Sequence, residues 1–438
     1  MRYLIIGNSA AGVTAAEAIR RTDQRGEITL IADETYPAYS RIFITNIVAG
    51  TARWEDILMR PPDFYQRLGI KALLGRRAVG ADLEGRTVYL ENGEALVFDR
   101  LLLATGASPQ LPRVAGSSLK GVTGMRTMAD ALKVIKILDE APGAPVVVLG
   151  GGLVSLKSAE AMARRGGQVL LVVKSRQILS QMLDEKAAAI IQKRMERAGI
   201  KITFGYDVSA FTGRERLEGI HLENGEDISS RLAIIAKGVM PNTDLAKLMG
   251  LHVNKGIVVD GYQRTNSEVV YAAGDVCETY DPLKQQRAVN AMWPNAVFQG
   301  AAAGANMAGA QELAHIGVRV NAASFFGLQA ASVGWTRPRE GDEEITVIDR
   351  EESYLKFIFR GEQLVGAVVI GDVRNIGYYR WLVAEEKPAG FLRREAGRKV
   401  YNFSTYRAKV GADLLQDAPT SPAAPPRRMK MAKGFFSW

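Results

Sequence analysis

The 438-residue sequence predicts an α/β fold in which one strand–turn–helix–strand unit occurs twice and a smaller α+β domain follows. Two observations predict the repeat. Apolar runs of strand length at Arg2–Ile6 and Val146–Leu149 each enter a glycine-containing turn, and a helical pattern follows each turn. A third observation, the change to β-rich segments in residues 322–383, predicts the additional domain.

The first unit has the order of elements that binds the ADP half of a dinucleotide. Its strand enters the turn GNSAAG (7–12), and a helix and a second strand that ends at two acids follow. Glycine permits the tight turn, the helix N-terminus offers N–H groups to a pyrophosphate, and an acid accepts ribose hydroxyls. The alternative is an ordinary βαβ unit whose turn binds nothing. The predicted nucleotide-binding residues are Gly7, Asn8, Ser9, Ala10, Ala11, Gly12, Asp33 and Glu34.

The second unit repeats this order from Val146. Its strand enters GGGLVS (150–155), a helix runs to Arg165, and Val169–Val173 is the second strand. Two such units imply two nucleotides, usually a flavin and a nicotinamide cofactor that face each other. The predicted binding residues of this unit are Gly150, Gly152, Leu153, Val154, Ser155 and Gly238.

The remaining patterns set the domain boundaries. A buried strand, DRLLLATG (99–106), and a later one, VVYAAGDV (269–276), are typical of further strands of the first domain, and residues 288–310 predict a helix. Residues 55–69 also have a helical pattern. We expect a first dinucleotide-binding domain from 1–112 and 246–321, a second from 113–245, an α+β domain from 322–398, and a basic tail at 399–438.

Composition limits the chemistry that the chain can carry. Its one cysteine, Cys277, excludes an internal disulfide, a structural zinc site and a protein-borne iron–sulfur cluster, and three histidines leave little for metal ligation. No apolar run could span a bilayer and no signal peptide is visible, so we expect a cytoplasmic protein. The net charge of +9, much of it in the tail, favours an acidic partner; we consider nucleic acid unfavoured as a partner.

The motifs GNSAAG, LLLATG, GGGLVS and VYAAGDV, in this order, make the chain resemble the FAD-dependent pyridine nucleotide-disulfide oxidoreductase superfamily. The segment WPNAVFQGAAAGANMAG (293–309) is most similar to the nitrite, rubredoxin and ferredoxin reductase branch. The resemblance implies FAD in the first domain, NAD(P)H in the second, and a third domain that shapes the flavin face or a homodimer contact. It also implies that Asp275 binds the FAD ribitol. The further FAD contacts that it implies are Arg41, Asn46, Val79, Ala104, Thr105, Gly106, Gly274, Trp293 and Pro294.

Two departures from the family pattern concern the flavin. Thiol members carry a redox cysteine where this chain reads Ser40–Phe43, so thiolate chemistry at the flavin is not expected. Ferredoxin reductases of this group pair a lysine with a glutamate, and the matching positions here are Asn46 and Lys157. Lys157 would place a cation near the flavin and the nicotinamide carboxamide, or it is a solvated helix lysine. Leu153 matches the family's gating residue over the flavin.

A third departure concerns the nicotinamide cofactor. The second strand of the second unit ends at Lys174 and Arg176, where NAD binders place an acid. A basic pair suits a 2′-phosphate, so NADPH is slightly favoured over NADH. The alternative is that both residues are merely exposed and that backbone contacts recognise NADH.

These features predict an FAD-dependent NAD(P)H oxidoreductase. Hydride passes to the flavin, and electrons then leave to an external acceptor, for which an acidic iron–sulfur carrier or partner subunit is favoured. Trp293, Tyr39, Phe325 and Phe326 are candidates for the far edge of the flavin. One alternative is an NAD(P)H oxidase or a quinone or dye reductase. Another, of a different class, is a flavin-binding redox sensor or structural subunit whose basic tail contacts a partner.

Overall fold

The computed structural model describes residues 1–281, 285–315 and 317–394. The predicted basic tail, 399–438, therefore lies outside the described residues. Among the helices that are described, none combines the length and the apolar character that a membrane crossing requires.

The chain begins with the first parallel sheet, in which β1 lies between β2 and β7 and is parallel to both. Strands β4, β5 and β6 form a separate antiparallel sheet. The elements of this part are β1 (Arg2–Ile6), α1 (Ala10–Thr22), β2 (Glu27–Ala32), α2 (Ile44–Ala49), α3 (Phe64–Arg67), β3 (Ile70–Leu74), β4 (Ala78–Asp82), β5 (Thr87–Leu90), β6 (Ala95–Val97), β7 (Arg100–Leu103) and β8 (Ala107–Pro109).

The helix predicted over residues 55–69 is mostly absent. A 3-10 turn at Glu55–Ile57 and the short α3 are the helical parts of this range. Pro61 and Pro62 lie between them. Proline lacks an N–H donor and disfavours helical geometry in the preceding residue, so one continuous helix cannot form.

A second five-stranded parallel sheet has the order β12-β11-β10-β16-β9, and β13, β14 and β15 pair as an antiparallel sheet beside it. An antiparallel ladder between β8 and β17 joins the two domains. The elements are β9 (Val122–Thr123), α4 (Met128–Glu140), β10 (Pro145–Leu149), α5 (Leu153–Arg164), β11 (Gln168–Val173), α6 (Glu185–Arg197), β12 (Lys201–Phe204), β13 (Val208–Thr212), β14 (Gly219–Leu222), β15 (Asp227–Ser229), β16 (Leu232–Ile235) and β17 (Val239–Pro241).

The chain then returns to the first domain, and β19 completes the first sheet in the order β19-β7-β1-β2-β3. All neighbouring strands of this sheet are parallel, so the turns that follow β1, β7 and β19 meet at one edge. The elements are α7 (Asp244–Leu248), β18 (Ile257–Val258), β19 (Val270–Ala272), β20 (Cys277–Asp281), β21 (Gln286–Ala288) and α8 (Trp293–Met307).

The third domain is an antiparallel sheet in the order β22-β23-β26-β25-β24. One of its faces packs on α9. Residues of the other face, among them Phe325 and Tyr354, join the core of the second domain, which includes Ile191 and Met195 of α6. The elements are β22 (Val320–Phe325), β23 (Leu328–Gly334), β24 (Glu343–Arg350), β25 (Ser353–Arg360), β26 (Gln363–Ile370), α9 (Ile376–Ala384) and α10 (Phe391–Arg394).

Helices α1 and α8 cross at very short range because α8 carries glycine at the crossing. A Cβ atom on Gly300 would lie 2.3 Å from the carbonyl oxygen of Ala11, and one on Gly304 would lie 2.3 Å from that of Ala15. Backbone therefore packs on backbone at this crossing. The contact fixes α8, whose first turn lies beside the large cavity described below.

We expect Gly304→Ala to lower the unfolding midpoint in urea, because the new methyl group must push the two helices apart. Overpacking of this kind costs about 1–3 kcal/mol. Circular dichroism through the transition measures the change. Gly377→Ala is the matched control: Gly377 also lies in a helix, but no atom lies within 4 Å of the added Cβ, so this substitution should be neutral or stabilising. Equal midpoints for the two variants would contradict the backbone contact.

Candidate cofactor-binding site

A cavity of about 1440 Å³ lies at the carboxyl edge of the first sheet. The turns after β1, β7 and β19 contribute to its wall, as do residues of α2, α5, α8 and β22. Ser9 precedes α1 without capping it through its side chain, so the first N–H groups of this helix keep their hydrogen-bonding capacity. A helix N-terminus in this state attracts a phosphate.

Two glycines of the first turn are required by packing. A Cβ on Gly7, whose φ is +126°, would lie 2.1 Å from the carbonyl oxygen of Ala104. A Cβ on Gly12 would lie 1.9 Å from the carbonyl oxygen of Gly7. Gly12 is not part of the cavity wall, so its role is close packing of turn and helix, whereas Gly7 serves both packing and the cavity.

The predicted residues of the first domain otherwise lie together in the cavity wall. This confirms their proximity and leaves their contacts with a cofactor as a prediction. The set comprises Gly7, Asn8, Ser9, Ala10, Ala11, Asp33, Glu34, Arg41, Asn46, Val79, Ala104, Thr105, Gly106, Gly274, Asp275, Trp293 and Pro294.

The two acids after β2 have different surroundings. The carboxylate of Glu34 is bound by the guanidinium of Arg41 and by the hydroxyl of Tyr39, which donates to it at 2.6 Å. Burial raises the pKa of the Tyr39 hydroxyl well above its usual range, so it remains a neutral donor. Asp33 is exposed, and its carboxylate makes no hydrogen bond or ion pair with any described residue. Asp33 is therefore the acid that remains available to ribose hydroxyls.

Arg126, which the sequence analysis missed, continues this network across the cavity wall. Its guanidinium donates to the carboxylate of Asp275 at 2.8 Å, and its carbonyl oxygen accepts from Arg41 at 3.1 Å. Asp275 is thus held in place before any ligand contacts it. No local motif marks Arg126, because its partners come from distant parts of the chain.

Asn242 connects the two dinucleotide-type domains through two hydrogen bonds. Its side-chain amide donates to the carbonyl oxygen of Thr105 at 2.8 Å, and the Thr105 hydroxyl donates to the carbonyl oxygen of Asn242 at 2.8 Å. In the sequence, Asn242 is the last residue of the segment AKGVMPN (236–242). This segment indicates where the second unit ends, but it does not indicate a contact with Thr105.

The second unit contributes Leu153, Val154 and Lys157, all in the first turns of α5, to the same cavity. The other predicted residues of this unit are not part of that wall. Ser155 is fully buried, and its hydroxyl donates to the carbonyl oxygen of Ala236 at 3.0 Å, so it packs helix against strand. The residues outside the cavity wall are Gly150, Gly152, Ser155, Lys174, Arg176 and Gly238.

Lys157 is not a solvated helix lysine. Its ammonium group donates to the carboxylate of Glu160 at 2.6 Å and to the carbonyl oxygen of Ser324 at 2.9 Å. Glu160 is buried and also accepts from the backbone N–H of Phe326. The other oxygen of the same carboxylate lies 3.0 Å from the guanidinium of Arg164, so one acid serves two cations. The lysine charge is therefore fixed in position within its own helix and tied to the third domain. The i,i+3 spacing of Lys157 and Glu160 on a predicted helix could have indicated this ion pair from the sequence.

Lys174 is also paired. Its ammonium group lies 3.1 Å from the carboxylate of Glu223 and 3.7 Å from that of Asp207. The hydrogen bond with Glu223 raises the pKa of Lys174. Asp207 is shared with Lys237, so two acids balance two lysines here. This pairing weakens the argument from Lys174 for a 2′-phosphate, whereas Arg176 is exposed and makes no ion pair with a described residue.

Two candidates for the flavin edge and the single cysteine lie outside the cavity wall. Phe325 is wholly buried in the core and does not line the cavity, so it was wrong as a candidate for the flavin edge. Phe326 also lies outside the cavity wall, and the guanidinium of Arg164 stacks over its ring. Cys277 is buried among apolar side chains, and burial raises the pKa of its thiol, which disfavours a reactive thiolate.

The comparisons with known proteins follow the same division of the chain. The profile described as "Pyridine nucleotide-disulphide oxidoreductase" matches residues 1–300. The profile described as "Rubredoxin NAD+ reductase C-terminal domain" matches residues 320–387. The chain belongs to the pyridine nucleotide-disulphide oxidoreductase family.

Two relatives illustrate the range of this family. Over 366 residues the chain is 34% identical to the NADH-dependent phenylglyoxylate dehydrogenase subunit epsilon of Aromatoleum evansii, a match that covers 82% of this chain and 86% of the relative. It is 29% identical over 416 residues to an NADH oxidase of Methanocaldococcus jannaschii, covering 88% and 93%. In fold, it is similar to the putidaredoxin reductase–putidaredoxin complex with a TM-score of 0.81 and 24% identity, covering 88% of this chain and 94% of the solved one.

The family binds FAD and NAD(P)H, and the cavity of this member fits a flavin dinucleotide. Its volume exceeds the range of roughly 300–1,000 Å³ that is usual for ligand pockets, as a long ligand requires. The open N-terminus of α1 suits the pyrophosphate, and the unpaired Asp33 suits ribose. The chain is an FAD-dependent NAD(P)H oxidoreductase.

We expect Asp33→Asn to weaken FAD binding to this family member, because charge-assisted hydrogen bonds to ribose are lost. Such bonds are worth about 1.5–3 kcal/mol, so the FAD dissociation constant should rise about tenfold or more. Titration of apoprotein with FAD, followed by flavin fluorescence, measures it.

Glu34→Gln is the matched comparison for this prediction. It leaves the part-buried Arg41 without its counter-charge, so it should mainly lower the unfolding midpoint of the apoprotein. If Asp33→Asn binds FAD as tightly as the unaltered protein does, the assignment of Asp33 to the ribose is wrong.

Proposed function

We propose that this oxidoreductase passes electrons from NAD(P)H, by way of FAD, to an external iron–sulfur protein, either a small acidic carrier or a partner subunit. One observation carries the proposal: residues of both dinucleotide-type units line a single cavity, and the only cysteine of the chain is buried away from it. Donor and flavin can therefore meet without a thiol relay, and reduction of a disulfide or peroxide through a cysteine has no support.

In the proposed cycle the chain supplies binding and orientation rather than acid–base groups. When bound, FAD supplies the redox chemistry, since it accepts hydride and can release electrons singly. Gly7 to Ala11 and Asp33 would hold its ADP half, and Asp275, oriented by Arg126, would bind its ribitol. Leu153 would cover the nicotinamide side of the cavity until NAD(P)H enters.

Lys157 and Asn46 complete the proposed set of reactive-site residues. Both line the cavity, from helices α5 and α2, which pack together. The bonds of Lys157 to Glu160 and Ser324 fix its ammonium group, so it would act on the cofactors as a positioned dipole and charge rather than as a mobile base.

The proposed acceptor fits the surface and the relatives. Ile42 and Phe43 line the cavity and are 57% and 41% exposed, and such exposed apolar side chains beside a redox site suit a docking protein. The net charge of +9 favours an acidic partner. The third domain matches the C-terminal domain of rubredoxin NAD+ reductase, and one relative is named as a subunit of a dehydrogenase.

The test compares acceptors for the reduced enzyme. We expect FAD-loaded protein, reduced anaerobically with NADH in a stopped-flow instrument, to be reoxidised faster by rubredoxin or a [2Fe–2S] ferredoxin than by dissolved oxygen. The rate with the carrier should fall as salt is added, because salt screens the attraction between opposite charges.

Phe43→Ala should slow the step with the carrier, and Leu132→Ala, which removes an exposed side chain outside the cavity wall, should leave it unchanged. Oxygen that reoxidises the enzyme as fast as either carrier would favour the oxidase instead, a function that the Methanocaldococcus relative's name already supports. Absence of reduction by NADH and NADPH over minutes would favour the redox sensor.

Nucleotide preference should depend on Glu223. While Glu223 holds Lys174, we expect NADH to reduce the enzyme at least as well as NADPH does. Glu223→Gln should remove the nearer of the two carboxylates beside Lys174 and leave only Asp207, at 3.7 Å. The ammonium group is then more available to a 2′-phosphate, and the dissociation constant for NADPH should fall about tenfold or less, as expected for an exposed charge. Stopped-flow reduction at varied nucleotide concentration gives this constant.

Glu226→Gln is the control for nucleotide preference, because it removes the same charge from the same hairpin without releasing a lysine. Equal effects of the two substitutions would mean that Lys174 does not contact the nucleotide. The cytoplasmic location, the homodimer and the docking role of the tail remain predictions.

A further inference from the structure

A second, smaller cavity of about 320 Å³ lies where the three domains meet. We name it the basic pocket. Met292 lines both this pocket and the cofactor cavity, so the segment before α8 separates the two. Its wall includes Asn295, Arg319, Trp335, Arg337, Arg339 and Asp281.

Three arginines make the pocket electropositive. Arg337 is anchored to the second domain, since it donates to the carbonyl oxygen of Ser180 at 3.2 Å and to the side chain of Gln177 at 2.9 Å. Arg319 makes no side-chain hydrogen bond or ion pair with the described residues. One acid, Asp281, also lines the pocket, so the arginines outnumber it.

Arg339 is held in a specific orientation. Its guanidinium carbon lies 3.3 Å from the centre of the Trp335 ring, so the two groups stack. The neighbouring acid, Asp342, is already bound by Arg360 at 2.9 Å. A stacked guanidinium keeps its N–H donors in its own plane, where they suit the oxygens of a carboxylate or phosphate.

Asn295 supplies an independent indication of a ligand. It is 2% exposed, it lies in the first turn of α8, and its side-chain nitrogen has no hydrogen-bond partner within the described chain. Buried polar groups are almost always hydrogen-bonded, because a buried donor without a partner loses its hydrogen bonds to water and forms no others. The wall of this arginine-lined pocket therefore contains a buried donor that the described protein does not satisfy, as a site for a ligand with acceptor oxygens would.

We propose that the basic pocket binds a small oxyanion, a molecule with a free carboxylate or phosphate group. Arg319 and Arg339 would bind its oxygens, and the amide of Asn295 would donate to it from the buried side. The volume lies at the lower end of the roughly 300–1,000 Å³ of ligand pockets, so the ligand is smaller than a dinucleotide. Because Met292 and the first turn of α8 border both cavities, the bound anion should also change the surroundings of the flavin.

The test is calorimetric titration of the FAD-loaded protein with inorganic phosphate and, separately, with malonate, at constant ionic strength. We expect at least one anion to bind, and the better one identifies phosphate or carboxylate as the preferred group. Malonamide, the uncharged counterpart of malonate, should not bind. Difference spectra should show a shift of the flavin absorbance that saturates together with the heat.

Arg319→Gln and Arg339→Gln should each weaken binding about tenfold or more, as expected for a lost charge-assisted hydrogen bond. Arg214→Gln, which removes an exposed arginine outside the pocket, should leave it unchanged. Unfolding midpoints verify that each variant is folded. The proposal is overturned if neither anion binds, if malonamide binds as well as malonate, or if both pocket variants bind as the unaltered protein does.

Discussion

The close approach of the first turn to the strand beside it is the contact on which the site depends. Gly7 lies so near Ala104 that even a methyl group would meet its carbonyl oxygen at 2.1 Å. This approach brings the ends of β1 and β7 together, and the parallel arrangement of the sheet places the turn after β19 at the same edge. The second short contact, between α1 and α8, holds the other side of the cavity with backbone against backbone.

Several charged side chains of the cofactor site form ion pairs and are not simply solvated. Glu34 holds Arg41, Arg126 holds Asp275, and Glu160 holds Lys157. A part-buried ion loses hydration, so each is accompanied by a partner that keeps it charged and in one position. Asp33 and Arg319 have no such partner among the described residues. Their hydrogen-bonding groups are therefore still available, and they indicate where a ligand would bind.

The third domain contributes to both cavities, although neither nucleotide-binding motif lies in it. Its strand β22 borders the cofactor cavity, and the turn after it is held by Glu160 and by Arg194, which donates to the carbonyl oxygen of Phe326 at 2.7 Å. The loop after β23 carries Arg337 and Arg339 of the basic pocket. The domain thus completes the cofactor cavity and connects it with a second candidate ligand site.

The sequence alone determined the repeat of the dinucleotide unit, the family and the absence of a redox cysteine. Glycine turns and strand periodicity are local patterns, and residue counts need no structure, so all three can be obtained from the sequence of one chain. It also placed most cavity residues correctly, since the ends of parallel strands must share an edge. Only the tertiary structure decided which charges are free. Asp33 and Glu34 are neighbours in sequence, yet Arg41 binds only Glu34, and Lys174, which follows β11, is paired with Glu223 of the β14–β15 hairpin. Lys174 and Glu223 lie 49 residues apart, and Glu34 and Arg41 lie seven apart. In both cases the fold decides the pairing, because electrostatic energy depends on separation in space, which no local pattern records.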